Sequence, residues 1–156
     1  MRAAILGNSG SGKSTFARAL AQADKTAILD LDTIVWEPRQ IAVRRPANAV
    51  LDDLERFTSS HTSWIVEGCY GDLIETLLAA RPELIFMNPG LERCILNCKN
   101  RPHEPHKYPS KAEQDRRLEF LLGWVADYYT RTGPMSLAAH RQLFDAYRGP
   151  KREIEG

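Results

Sequence analysis

Ala3-Ala4-Ile5-Leu6-Gly7-Asn8-Ser9-Gly10-Ser11-Gly12-Lys13-Ser14 is the stretch on which the fold turns. Ala3 to Leu6 is a short apolar run closed by glycine, the form of a strand buried on both faces. Gly7-x-x-x-x-Gly12-Lys13-Ser14 is a complete Walker A pattern. Its glycines let the backbone wrap closely enough for N–H groups to face phosphate oxygens. A helix follows from about Lys13 to Gln22, with Phe16, Ala17 and Leu20 on one face, and adds its positive N-terminal end. Lys13 would reach the β- and γ-phosphates and the Ser14 hydroxyl would ligate Mg²⁺. The pattern therefore predicts MgATP held by Gly7, Asn8, Ser9, Gly10, Ser11, Gly12, Lys13, Ser14 and Thr15.

Outward from this motif, apolar strands alternate with amphipathic helices. Thr26 to Leu29 reads as a second buried strand, ending in Asp30-Leu31-Asp32. Residues 36–45 are polar and irregular, and Pro46 opens a helix carrying Ala47, Val50, Leu51, Leu54 and Phe57 at helical spacing. Trp64-Ile65-Val66 is a third strand, ending at Glu67-Gly68; Leu73, Ile74, Leu77 and Leu78 mark the next helix. Leu84 to Met87 is a fourth strand, stopped by Asn88-Pro89-Gly90, and Leu91, Cys94, Ile95 and Cys98 form a helical stripe. Arg101 to Pro109 breaks all periodicity. Ser110 and Glu113 then have capping-box spacing. They open one helix expected to bury Leu118, Leu121, Leu122, Val125, Tyr128 and Tyr129. A last helix carries Leu137, Leu143, Phe144 and Tyr147, and residues 151–154 suit a short edge strand. This alternation predicts one α/β domain over residues 1–156, a parallel sheet covered on both faces by right-handed crossovers. Such sheets bind ligands at the carboxyl ends of their strands. Gly7 to Ser14, Asp30, Asp32, Glu67 and Asn88 all fall there.

Composition narrows the function further. A formal net charge of +1 over 156 residues gives no basic field for nucleic acid or an anionic membrane. Cys69, Cys94 and Cys98 cannot all pair within the chain, and no downstream Cys or His set completes a zinc site, so reduced thiols are expected. With no apolar run of membrane-spanning length and no signal-peptide pattern ahead of the motif, a cytoplasmic monomer or small homo-oligomer is expected.

Phosphoryl transfer needs carboxylates for magnesium and one to orient or deprotonate an acceptor. Asp30 and Asp32, two apart on an extended strand end, would point to the same side. Glu67 is a second magnesium candidate. Together, the P-loop, Asp30-x-Asp32, Glu67-Gly68 and an arginine-bearing loop after the fourth strand resemble the nucleoside-monophosphate-kinase-like enzymes, which include adenylate, shikimate and gluconate kinases. Within that group the chain most resembles the adenylate-kinase-like proteins labelled DNA topology modulation proteins. Leu31-Asp32 with Trp36, Trp64-Ile65-Val66-Glu67-Gly68-Cys69-Tyr70 and His140-Arg141-x-Leu143-Phe144 with Gly149 and Lys151 carry that likeness. It runs from Met1 to about Ile154.

The resemblance implies a three-layer P-loop NTPase fold with a five-stranded parallel sheet in order 2-3-1-4-5, an acceptor-binding segment at 36–60 and a short mobile lid at 101–110. It implies that Asp32 contacts a small-molecule acceptor, that Asp30 or Glu67 joins Ser14 in the magnesium shell, and that Arg101 is the lid arginine meeting the transferring phosphate, with Arg116 and Arg117 as further candidates. Lys13, Asp32 and Arg101 are thus the expected catalytic residues. Asn88-Pro89 departs from relatives that carry an aspartate before the proline, the lid lacks a cysteine quartet for zinc, and the adenine-binding edge is expected to be abbreviated. Arg39, Arg44 and Arg45 suit either an anionic acceptor or a solvated loop. Trp36 and Tyr70 suit stacking on an acceptor or packing. His103, His106 and His140 read as lid or helix residues without a catalytic part. The competing functions are a nucleotide-dependent regulator associated with DNA, and an ATPase with water in the acceptor pocket.

Overall fold

The computed structural model describes residues 1–156. Strands β1 (Arg2–Gly7), β2 (Ala27–Asp30), β3 (Trp64–Gly68), β4 (Glu83–Met87) and β5 (Lys151–Ile154) form one all-parallel sheet, in the order β2-β3-β1-β4-β5. The helices are α1 (Lys13–Gln22), α2 (Asp32–Val35), α3 (Ala47–Ser60), α4 (Gly71–Leu77), α5 (Leu91–Lys99), α6 (Lys111–Arg116), α7 (Leu118–Asp127) and α8 (Leu137–Ala146). The predicted strand order and two-sided helical cover are both present.

Strand alternation explains the layering. Ala4 and Leu6 of β1 face a core completed by Val50 and Leu54 of α3 and by Leu73, Ile74 and Leu77 of α4, with Leu143 and Phe144 of α8 packed against it. Ala3 and Ile5 face the opposite layer, where Ala17 and Ala21 of α1 lie beside Ile65, Ile85 and Met87. A third cluster, Cys94 and Cys98 of α5 with Val125 of α7, lies beside the P-loop. No helix is long and apolar enough to cross a membrane.

Two expectations are corrected. β2 is an edge strand rather than a buried one: it pairs with β3 alone, and Ile28 is 36% exposed. The helix expected after Ser110 is broken at Arg117, where α6 gives way to α7. Its stripe is only partly covered because α7 packs chiefly on α5: Val125 and Tyr128 are buried, Leu118, Leu121, Leu122 and Tyr129 are half-buried, and Phe120 is exposed. The predicted cap is present, with Ser110 Oγ accepting from the Glu113 amide at 3.1 Å.

Residues 101–109 are irregular, as their three prolines require, yet they are tied down. The Gln114 side chain accepts from the Glu104 amide at 2.8 Å and donates to the Pro102 carbonyl at 3.0 Å. His103 Nε2 lies 2.9 Å from the Tyr108 carbonyl. These bonds shape the loop that lies over the sheet's carboxyl edge.

Candidate active site

The P-loop leaves β1 and enters α1 through two glycines with left-handed backbone, Gly10 at φ +78° and Gly12 at φ +93°. Gly10 is also required by space. A β-carbon there would stand 2.3 Å from the Cys94 carbonyl oxygen and 2.7 Å from Cys98 Sγ. Asn97 Nδ2 donates to the Gly10 carbonyl at 2.7 Å, and Asn8 Nδ2 donates to the Val125 carbonyl at 3.0 Å. The loop is thus clamped between α5 and α7. Lys13 Nζ spans it to the Asn8 carbonyl at 2.8 Å. Ser9 to Thr15 line the adjoining cleft; Gly7 and Asn8 shape the loop from behind. Ser11 Oγ, buried and without a partner in the protein, lines the same cleft. A loop of clustered glycine amides, a lysine and an unpaired hydroxyl fits a triphosphate.

At the ends of β2 and β3, Asp30 and Glu67 are register partners. Ser14 Oγ donates to Glu67 Oε1 at 2.5 Å. Glu67 is 3% exposed, and burial, with the nearby Asp30 charge second, pushes its carboxyl above the usual range. The chain holds no cluster of three or more His, Cys, Asp or Glu that would bind a metal unaided. A hydroxyl and two carboxylates beside a phosphate loop are what Mg²⁺ uses, since it takes one or two protein carboxylates and completes its shell with phosphate and water. The residues present fit that ion.

Asp32 is placed differently from the strand-end geometry expected. The chain turns helical at Leu31 (φ −59°, ψ −27°), so Asp32 opens α2 instead of extending β2. Asp30 Oδ1 accepts the Asp32 amide at 2.9 Å, and both residues still line the cleft. Asp32 Oδ1 accepts from the Tyr70 hydroxyl at 2.5 Å and from Trp36 Nε1 at 3.3 Å. Asp32 Oδ2 meets Lys107 Nζ of the lid at 2.7 Å. Burial alone would raise the Asp32 carboxyl; the Lys107 charge and hydrogen bond, then the Tyr70 bond, outweigh it and hold the group at about 2. Burial likewise opposes the Lys107 ammonium, and Asp32, Glu104 and Asp30 overcome it, holding the amine well above its ordinary value. His106 Nε2 stands 3.1 Å from Asp30 Oδ2. Residues 106 and 107 therefore meet both aspartates.

Among known proteins, no family model matches the chain, and no curated protein matches it. Solved structures do. A shikimate kinase from Aquifex aeolicus superposes with a TM-score of 0.54 at 14% identity, covering 99% of this chain and 85% of that one. The chain has the fold of the P-loop kinases. A sugar kinase from a Janibacter species matches with TM-score 0.54, 14% identity and coverage of 99% and 84%, and a gluconokinase from Sinorhizobium meliloti with 0.54, 15%, 99% and 83%. At such identities the likeness is one of fold.

Within this P-loop kinase fold the remaining candidates separate by what they touch. Arg101 lines the cleft, but its guanidinium pairs with Glu104 at 3.0 Å; the lid cation at Asp32 is Lys107. Lys107 was not singled out from sequence, where Arg101 was read as the residue that meets a phosphate and no cation was assigned to Asp32; its one signal was being the sole lysine of residues 101–109. His106, read from sequence as mere lid, contacts Asp30. Arg116 pairs with Glu113 at the surface, while Arg117 lines the cleft. Of the segment 36–60, only residues 36–42 line the cleft. Arg45 is held by Asp53 at 2.6 Å and by the Ile34 carbonyl, a structural role, whereas Arg39 faces the cleft without an ion-pair partner. Asn88 bonds Glu153 at 3.1 Å. His140 is fully buried between the Tyr128 hydroxyl and the Cys69 carbonyl, each at 2.8 Å. All three cysteines are free thiols.

Proposed function

We propose that the chain is an ATP-dependent kinase that transfers the γ-phosphoryl group to a small acceptor, and that it stands nearest the adenylate-kinase-like proteins labelled DNA topology modulation proteins. The observation that carries the reading is that the P-loop, the Ser14–Glu67 pair and Asp32 open on one cleft. That cleft, open to solvent along one side, spans about 1840 Å³, more than the roughly 300–1,000 Å³ of a single small-ligand pocket. It has room for a nucleotide and a second substrate.

In this reading the P-loop amides and Lys13 bind the phosphates, and Ser14, Glu67 and Asp30 hold Mg²⁺ directly or through water. When bound, magnesium neutralises charge on the β- and γ-phosphate oxygens. Asp32 orients the acceptor hydroxyl through Oδ2. A carboxyl held at about 2 is a weak base, which suits a loose transition state needing orientation more than early deprotonation. Lys107 supplies a second cation at Asp32, beside Arg101, which lines the cleft as the residue proposed to meet the transferring phosphate. Closing residues 101–110 over both substrates would exclude water from the reacting groups. A formal charge of +1 argues against the DNA-associated alternative.

An ATP-consumption screen of the full chain against nucleosides, nucleoside monophosphates and small hydroxy acids tests the proposal. One acceptor class should raise turnover far above hydrolysis, and Asp32→Asn should remove about 10²-fold of that gain through lost orientation with nucleotide affinity retained. Hydrolysis that no acceptor increases would leave an ATPase.

A further inference from the structure

Resting on the reading of Asp32 as the acceptor carboxylate, we propose that Trp36 and Tyr70 are positioning residues that together occupy Asp32 Oδ1, so that Oδ2, whose one protein partner is Lys107 Nζ at 2.7 Å, is the oxygen turned to the acceptor.

The hydrogen-bond polarity is forced by chemistry. An indole N–H can only donate, and a phenol has one proton to give. The Tyr70 hydroxyl donates to Asp32 Oδ1 at 2.5 Å, and Trp36 Nε1 donates to the Tyr70 oxygen at 2.8 Å and to Oδ1 at 3.3 Å. The chain therefore runs from Trp36 through Tyr70 to Asp32 and cannot reverse. Tyr70 is 2% exposed, and burial first, the Asp32 charge second, keep its proton in place across any working pH. A network of this kind polarises along its length, with each bond strengthening the next.

The fold brings the three residues together by separate routes. Trp36 follows Asp32 by four residues, directly after the single turn of α2. Tyr70 arrives from the end of β3. The Leu31 amide donates to the Glu67 carbonyl at 2.9 Å, and Gly68 lies so close to Leu31 that a β-carbon would stand 2.9 Å from its side chain. Both side chains pack against the core, and each also places its polar atom on the Asp32 network. The Arg44 guanidinium lies 5.9 Å from the Trp36 ring centre and 5.7 Å from that of Tyr70, capping both aromatics. The arrangement gives a physical reason for Leu31-Asp32 with Trp36 to occur in one chain with Glu67-Gly68-Cys69-Tyr70: the two blocks converge on one carboxylate.

The test compares Tyr70→Phe, Trp36→Phe, Asp32→Asn and the Tyr70→Phe/Asp32→Asn double variant in the full chain. Turnover of MgATP is followed with the acceptor found by the screen, and with water alone. Tyr70→Phe should slow turnover about 10- to 100-fold, as expected for losing a hydrogen bond to a charged group, at unchanged nucleotide affinity. It should have no further effect in the Asp32→Asn background, because it acts through that carboxylate. Loss in Asp32→Asn with wild-type turnover in Tyr70→Phe, or equal Tyr70→Phe losses in both backgrounds, overturns the proposal and leaves the role of Asp32 standing. Wild-type turnover in Asp32→Asn removes the underlying reading itself. A second arm needs no catalysis. The Trp36 indole resonance in ¹H–¹⁵N spectra, assigned by its disappearance in Trp36→Phe, should move in both Asp32→Asn and Tyr70→Phe. An unmoved resonance in both overturns the network.

Discussion

Lys107 Nζ of the lid stands 2.7 Å from Asp32 Oδ2 at the head of α2, joining the most irregular segment of the chain to its central carboxylate. Exposed ion pairs contribute up to about 1 kcal/mol, and breaking a buried one costs about 3–5 kcal/mol. With side-chain exposures of 21% and 24%, this pair falls between those limits. Lys107→Ala should speed amide exchange across residues 101–109 by about tenfold and lower turnover. Its Asp32 carboxyl should rise from about 2 toward the ordinary 3.8. A depressed carboxyl stabilises the fold above its ordinary value and loses that contribution as pH falls through the depressed one. Wild-type lid protection should therefore fade between about pH 4 and pH 2. Unchanged exchange in Lys107→Ala would show that Gln114 alone holds the lid.

Glu67 gives a contrasting pH signature. Its raised carboxyl takes up a proton at a higher pH than a free glutamate does, and a proton there competes with a cation. The magnesium concentration needed for half-maximal nucleotide binding should rise as pH falls, starting at a higher pH than an ordinary glutamate would give. In Glu67→Gln the requirement should be high throughout and independent of pH. Titrating magnesium at several pH values by calorimetry would separate these outcomes, and identical curves would remove Glu67 from the metal shell.

Gly10 and Gly12 both have positive φ, but only Gly10 lacks room. Gly12→Ala meets nothing closer than Met87 Cε at 3.8 Å and carries backbone strain of about 1–2 kcal/mol. Gly10→Ala adds a 2.3 Å clash with the Cys94 carbonyl, so α5 or the loop must shift. Thermal melts should show Gly10→Ala as the more destabilised, with nucleotide binding lost. Equal melting points would mean that the loop relaxes freely.

His140 should govern acid stability. Burial pushes its imidazole down to about 4 from 6.5. The unfolded chain takes up a proton below 6.5 and the folded chain does not, so stability is lost as pH falls from 6.5 to about 4. The full shift corresponds to about 3 kcal/mol. His140→Gln, melted across this range, should show a flatter profile than the wild type; parallel profiles would refute the assignment.

Helical cover and the phosphate loop were legible because glycine spacing and apolar periodicity are local signals, whereas the strand order came only from the resemblance to P-loop kinases, since it depends on pairing between distant segments. Asp30, Glu67 and Ser14 could be read as strand-end and P-loop chemistry, and the sheet register brings them side by side. The lid was less legible. Arg101 was chosen for what a guanidinium does to phosphate, yet which lid cation reaches Asp32 depends on how three prolines and Gln114 fold residues 101–109. Trp36 and Tyr70 gave an aromatic signal that could not distinguish stacking from hydrogen bonding, since their partner comes from another segment. Arg39, Arg44 and Arg45 looked alike in sequence, and only tertiary contacts divide them into a cleft residue, an aromatic cap and a structural pair.

The clamp on the P-loop has a mechanical consequence. Asn97 lies on α5, which runs into the lid, and Asn8 is fastened to α7, which follows the lid and α6. The lid is therefore a strap with both buckles on the phosphate loop. A movement that keeps both bonds would lift only the slack between Lys99 and Lys111. Any strain that a bound triphosphate puts on Gly10 is felt at both anchor points at once.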